Sequence, residues 1–239
     1  MSILAARLGT TATRLAAGLT SILLPRDCFL CDAPSKDQFL CAACELSLPR
    51  LLPAHCTVCA RSLAQSQICG TCLDLPPAFD ATHAAFIYAF PVDILIQSLK
   101  YQRRLASAAY LSKALISLIG DARPDLIVPV PLAPPRLALR GFNQALELAK
   151  PLSKYLRVPL ARSDVLRCRD TVPQVSLPRK DRAKNIRNAF ECRADLSDKT
   201  VWLIDDVMTT GATLNELAGL LKAHGAARVE NFVVARTAD

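Results

Sequence analysis

From residue 82 onward, apolar positions gather into short β-branched and aromatic runs that alternate with longer stretches of helical spacing. "THAAFIYAF", Thr82 to Phe90, reads as a strand. Pro91 can open the helical "VDILIQSLK", since a helix start has no use for the missing amide hydrogen. A second helix is expected from about Leu105 to Ile119. "DLIVPV", Asp125 to Val130, is a proline-bounded strand, followed by the loop "PLAPPRLALRG" and a helix from about Asn143 to Leu156. After "DVL" and a polar, basic stretch to about Phe190 come the strand "VWLI", the helix "TLNELAGLLKAHG" and the strand "VENFVVA". Leu214, Leu217, Leu220 and Leu221 share one face of that last helix, and Gly225 stands where a left-handed terminating residue is wanted. Such alternation predicts an α/β domain over residues 80–239, with a mostly parallel sheet flanked by helices and a ligand site at the carboxyl ends of the strands.

At the other end, Ile3, Leu4, Leu8, Leu15, Leu19 and Ile22 recur at roughly helical spacing, which predicts an amphipathic helix over residues 1–24 packed on its own protein. Arg7 and Arg14 interrupt the segment, so neither a signal peptide nor a transmembrane span is expected.

Composition sharpens this picture in two ways. A chain of 239 residues with 51% apolar content has ample material for a core, which excludes a disordered protein. The formal charge of +8 points towards phosphate-bearing partners. Part of that charge is concentrated in "RKDRAKNIR", where Arg179, Lys180, Arg182, Lys184 and Arg187 face the single acid Asp181. The cluster suits the backbone of single-stranded DNA, a mobile lid over a diphosphate, or simply a solvated helix face. No aromatic residue is interleaved with it, so reading of base sequence is not expected.

Between residues 25 and 78 the pattern is set by cysteine. Eight of the ten cysteines fall in pairs, Cys28/Cys31, Cys41/Cys44, Cys56/Cys59 and Cys69/Cys72, with the same interval inside each half. In a CxxC turn two thiolates approach one ion while backbone amides point at the sulfurs, and four thiolates complete a tetrahedral structural zinc site. The repeat predicts a double zinc ribbon with about two zinc ions, in a reducing cytoplasm. Spacing alone leaves open whether successive pairs share an ion or the halves are cross-braced. Cys168 and Cys192 read as small buried hydrophobes, and His55 as a lone histidine outside the metal sites.

The chemistry of the α/β region is concentrated in "VWLIDDVMTTGAT", Val201 to Thr213. Four apolar residues supply a buried strand, at whose carboxyl end Asp205 and Asp206 emerge. The turn that follows can wrap a phosphate, with Gly211 permitting close approach and a helix beginning near Ala212 presenting free amides. A phosphate held beside two carboxylates that accept from vicinal hydroxyls describes a ribose 5-phosphate.

This stretch resembles the phosphoribosyl diphosphate (PRPP) motif of the type I phosphoribosyltransferases. The resemblance assigns Asp205 and Asp206 to the ribose hydroxyls, and Thr209, Thr210, Gly211, Ala212 and Thr213 to the 5-phosphate, with Val207 and Met208 between them. Mg²⁺ on the diphosphate is implied as well. "VPVPLAPPRLALRGFNQ" and "PQVSLPRKDRAKNIRNAF" are similar to the ComF family, whose members join a cysteine-rich zinc module to a phosphoribosyltransferase-like domain. That similarity implies that Val128 to Leu132, with Pro131, faces the diphosphate and that Arg140, Asn143 and Gln144 lie near the site. "LKYQRR", with Lys100, Arg103 and Arg104, matches another basic segment of the family and reads equally well as a solvated helix end. No segment is assignable to a pocket for a free base, and no catalytic residue is identified. Two functions follow from the resemblance: an accessory protein of DNA uptake or DNA utilisation that binds single-stranded DNA and a PRPP-like ligand, alongside recombination proteins, or an enzyme transferring phosphoribose to an unidentified acceptor.

Overall fold

A computed structural model of the chain describes residues 27–65, 67–161, 163–169 and 186–238. The helix expected over 1–24 and the cations Arg179, Lys180, Arg182 and Lys184 lie outside them. The chain forms two compact units that divide between Leu48 and Pro49.

In the first unit the Cys28 N–H bonds the Ala33 carbonyl at 2.7 Å and the Asp32 N–H bonds the Cys28 carbonyl at 2.9 Å, which closes a tight CxxC turn. Phe29 and Phe39 stack with ring centroids 5.1 Å apart. The short helix α1 (Ala42–Leu46) starts directly after Cys41. The second unit opens by repeating this design. The Cys56 N–H reaches the Arg61 carbonyl at 2.7 Å, the Ala60 N–H reaches the Cys56 carbonyl at 2.8 Å, and helix α2 (Gly70–Asp74) starts directly after Cys69.

The remainder of the second unit runs β1 (Ala81–Ile87), α3 (Val92–Gln102), α4 (Leu105–Ile116), β2 (Leu126–Pro129), α5 (Pro134–Arg140), α6 (Gln144–Leu156), β3 (Val165–Arg167), β4 (Phe190–Cys192), β5 (Thr200–Met208), α7 (Ala212–Ala223) and β6 (Arg228–Arg236). β1, β6, β5 and β2 form one sheet in that order, with every pairing parallel, while β3 and β4 make a separate antiparallel pair. β5 and β6 are central, and Val201 to Ile204 and Val229 to Ala235 are buried, as expected of parallel strands covered on both faces. Trp202 and Phe232 meet in that core with ring centroids 4.1 Å apart.

Helix α7 buries Leu214, Leu217, Ala218 and Leu221, while Leu220 is only partly buried beside them. Gly225 ends it with φ +98°, and a β-carbon there would lie 2.9 Å from the Ser197 backbone, so both conformation and space require glycine. Asn143 caps α6 by accepting from the Ala145 amide at 2.9 Å, and its own amide donates to the Val130 carbonyl at 3.0 Å. This second bond fixes the start of α6 against the end of β2.

Three sequence expectations are corrected here. "PLAPPRLALRG" is not a loop throughout: Pro134 and Pro135 occupy the first helical positions, where they are tolerated, and Leu137 to Arg140 continue as α5 to a left-handed Gly141. β5 does not stop at Ile204 but pairs with β6 as far as Met208, so Asp205 and Asp206 lie within a strand, and Asp206 is only 4% exposed. Cys168 is exposed and Cys192 partly exposed, so neither is a buried hydrophobe; each donates weakly to a nearby carbonyl, Ala189 and Ala194 respectively.

Among the described residues, no helix is long and apolar enough to cross a membrane.

Candidate functional site

The cysteines settle into two groups, Cys28/Cys31/Cys41/Cys44 and Cys56/Cys59/Cys69/Cys72, with all sulfurs of a group within 4.8 Å of one another. Successive pairs therefore converge, and the halves are not cross-braced. Cys31 and Cys41 sulfurs are 3.7 Å apart, as are those of Cys59 and Cys69. That is close to the edge of about 3.8 Å of a tetrahedron with Zn–S bonds of about 2.3 Å, so both groups fit zinc.

The sulfurs are also electrostatically prepared for it. Burial opposes ionisation of Cys28, yet backbone amides aimed at its sulfur outweigh this and draw the thiol down to about 6. Cys56, likewise opposed by burial and helped by the backbone of Cys69, Cys59 and Val58, is drawn to about 7. Cys44, through its bond to Cys31, and Cys72, through burial, are pushed up instead, because four adjacent thiols cannot all ionise without a cation. His55 stands apart from both groups, its Nδ1 2.7 Å from the Leu52 carbonyl oxygen. We expect elemental analysis of the purified protein to find about two zinc ions per chain; one or none would contradict two closed sites.

A cavity of about 720 Å³ opens at the carboxyl ends of β2 and β5. Asp205, Asp206, Val207, Thr209 and Thr213 line one side, and Val130, Pro131, Arg140 and Gln144 another. Of the sequence-assigned turn, Met208 points into the core and is 2% exposed. Thr210 accepts from the Ala212 amide at 3.3 Å, which shapes the start of α7. Gly211 has φ +80°, a left-handed conformation that favours glycine, and it packs over the terminal methyl of Met208, 2.6 Å from where a β-carbon would stand.

The two acids have different surroundings. Asp206 is ion-paired with Lys100 and accepts from the Gln144 side-chain amide at 3.4 Å, while Gln144 in turn accepts from Arg140. Burial works against charge on Asp206, but the Lys100 ammonium outweighs it and holds the carboxyl below the usual carboxylate range. Burial likewise opposes charge on Lys100, yet Asp206 raises it. Asp205 is partly exposed to the cavity, and its Oδ1 accepts from the Asp206 amide at 2.8 Å. Burial and then the neighbouring charge of Asp206 push it well above the usual carboxylate range. One acid is thus anchored and charged, and the other faces the cavity.

Around this pair the cavity is basic. Lys100, Arg103, Arg136, Arg140 and Arg167 all line it. The sequence singled out Lys100, Arg103 and Arg140, and the structure brings them together; Arg104 is exposed and does not line the cavity. Arg136 and Arg167 were missed, because one sits in the segment read as a loop and the other in the three-residue strand β3. Arg187 is exposed at the edge of the described residues, its carbonyl bonded by Arg169. At the mouth stand Tyr101, 72% exposed with the Arg140 guanidinium 5.6 Å above its ring, and Leu139, 86% exposed.

Residues 19–73 match the double zinc ribbon domain, and residues 143–239 match the phosphoribosyl transferase domain. The chain is 34% identical to the DNA utilization protein YhgH of Escherichia coli (strain K12), over 90% of this chain and 99% of that protein. It is also 34% identical to competence protein F of Haemophilus influenzae, over 82% of this chain and 90% of that one. The chain belongs to the ComF family of competence-associated proteins. Within that ComF architecture the zinc-ribbon match covers both four-cysteine groups, and the phosphoribosyl transferase match covers α6 to β6 with the acid pair and the turn. A purine phosphoribosyltransferase from Pyrococcus horikoshii Ot3 is similar at 20% identity with a TM-score of 0.32, over 63% of this chain and 74% of that one.

Proposed function

We propose that this ComF protein binds PRPP or a related phosphoribosyl ligand in the cavity beside Asp205, and binds single-stranded DNA as an accessory of DNA uptake or DNA utilisation in the cytoplasm. The observation that carries the reading is the junction of an acid pair, a glycine-dependent phosphate turn and a basic wall at the carboxyl end of a parallel sheet. Asp205 accepts from the ribose hydroxyls, while Asp206, fixed by Lys100 and Gln144, holds the strand end in place. The amides at the start of α7, with Thr209 and Thr213, take the 5-phosphate. Arg140 and the loop at Pro131 face the diphosphate, where bound Mg²⁺ disperses negative charge. For DNA, the relatives named for DNA utilization and competence support the context, and the basic, aromatic-bearing mouth suits a phosphate backbone with an unpaired base.

A second reading, transfer of phosphoribose to an acceptor, draws on the same acid pair and turn; release of diphosphate in the presence of candidate acceptors would favour it.

Salt dependence tests the DNA reading. Affinity for single-stranded oligonucleotides is expected to fall steeply with salt and to vary little with sequence. Replacing Arg179, Lys180, Arg182 and Lys184 by Gln should flatten the log–log slope by up to about 0.7 for each phosphate that the variant no longer neutralises. If the same variant instead loses PRPP affinity and keeps its DNA affinity, the cluster acts as a lid over the diphosphate.

A further inference from the structure

Arg236, near the end of β6, is 4% exposed although it carries a charge that no accessible pH removes. Such a group is tolerated only where its donors find acceptors. Its Nε donates to the carbonyl of Cys59 at 3.0 Å, a residue of the second four-cysteine group. One terminal nitrogen donates to the Met208 carbonyl at 3.4 Å and to the carbonyl and hydroxyl of Thr237 at 2.9 and 3.0 Å. Met208 immediately precedes Thr209, where the phosphate turn begins. A single guanidinium therefore bridges a metal knuckle and the root of the turn.

Other contacts run between the same two places. The Ala78 amide, on the segment leaving the second four-cysteine group, donates to the Asn215 side chain at 2.7 Å, and Asn215 lies in the first turn of α7. Phe79 and the Met208 methyl both lie beneath Gly211. Cys56, Cys59, Cys69 and Cys72 share one hydrophobic core with Phe79, Met208 and Leu214. The Cys59 carbonyl is held in place by its turn, in which Ala60 adopts φ +57° and closes back on the Cys56 carbonyl. A zinc ion bound by the four sulfurs ties that turn to Cys69 and Cys72 at the start of α2.

We propose that Arg236 is a positioning residue that makes the second four-cysteine site a support of the phosphate turn, so that the state of that metal site sets the geometry of residues 209–214. The inference rests on the phosphoribosyl reading for its consequence in binding, but not for its structural content. It differs from a purely local role for zinc, which would leave the turn indifferent to the metal.

The test uses the full chain, with Arg236→Gln as the main variant and Arg236→Lys as one that keeps the charge but loses the fork geometry. Zinc content is expected to stay at the wild-type value in both variants. Amide hydrogen exchange across residues 209–214 should rise in Arg236→Gln, and affinity for Mg²⁺–PRPP should fall about tenfold, a coupling of ordinary size for a residue that touches neither ligand. Stripping zinc from the wild type with a chelator should raise exchange in the same segment. Unchanged exchange across residues 209–214 in the two variants would overturn the proposal whatever the zinc-free chain shows, since loss of zinc also opens the shared core. If wild type binds no PRPP, the phosphoribosyl reading fails, whereas the exchange measurements still decide the link between metal and turn. If Arg236→Gln does not fold, the same comparison is made with Arg236→Lys and the chelated wild type.

Discussion

Replacing Asp206 by Ala is expected to destabilise the protein by about 3 kcal/mol, whereas replacing its neighbour by Asn is expected to stabilise it at neutral pH. Removing Asp206 strands the Lys100 ammonium, whose side chain is only 21% exposed, without its counter-charge. Breaking a buried pair by deleting one partner typically costs about 3–5 kcal/mol, and the residual exposure of Lys100 puts the expectation at the lower end. For a chain of this size that is a fall in Tm of roughly 6–12 °C. Asp205→Asn keeps an acceptor for the Asp206 amide while removing a second negative charge from beside the buried Asp206.

The pH dependence separates the two acids. Asp206 has a depressed folded pKa, so its contribution is present above the ordinary carboxylate range and is lost as pH falls through the folded value. Asp205 has a raised folded pKa, so its contribution is present in acid and is lost as pH rises through that value. Thermal scans from about pH 4 to 8 should therefore show Asp205→Asn gaining on wild type towards neutrality. A variant that tracks wild type at every pH would contradict the assignment of the raised pKa to Asp205.

Loss of zinc is expected to have the larger effect. A structural zinc site contributes on the order of 10 kcal/mol of apparent folding free energy in isolated zinc modules, because the site does not exist in the unfolded chain. In the second unit the four sulfurs belong to the same core as Ala84, Met208 and Leu214, so their release opens that core rather than a detached module. Chelation should lower Tm by at least about 10 °C and release about two equivalents of zinc. A zinc-free chain that unfolds at the wild-type temperature would show that the two cysteine groups do not hold the fold together.

The elements of the α/β region were legible because parallel strands covered on both faces are continuous apolar runs, as in Val201 to Ile204, and because amphipathic helices such as α7 carry a clear period. The repeated CxxC spacing likewise gave the metal groups, though only the fold could say that successive pairs converge. What escaped was decided by long-range contacts. β5 extends past its two acids because β6 supplies partners as far as Arg236, a pairing that no local propensity encodes. Asp206 is buried because Lys100 arrives from α3, far away in sequence. Arg236 looks like the last polar residue of an apolar strand, and its role depends on a carbonyl in the cysteine region. Arg136 and Arg167 line the candidate cavity only because the fold brings their segments together there.

The central claim is that the cavity beside Asp205 takes a phosphoribosyl ligand, and calorimetric titration of Mg²⁺–PRPP into wild type and Asp205→Asn tests it most directly. The account predicts saturable binding of about one ligand per chain to wild type. In the variant, whose fold and zinc content are retained, affinity should weaken at least about tenfold, the scale of one missing charge-assisted hydrogen bond to a ribose hydroxyl. No binding to wild type, or equal affinity in the variant, would contradict it.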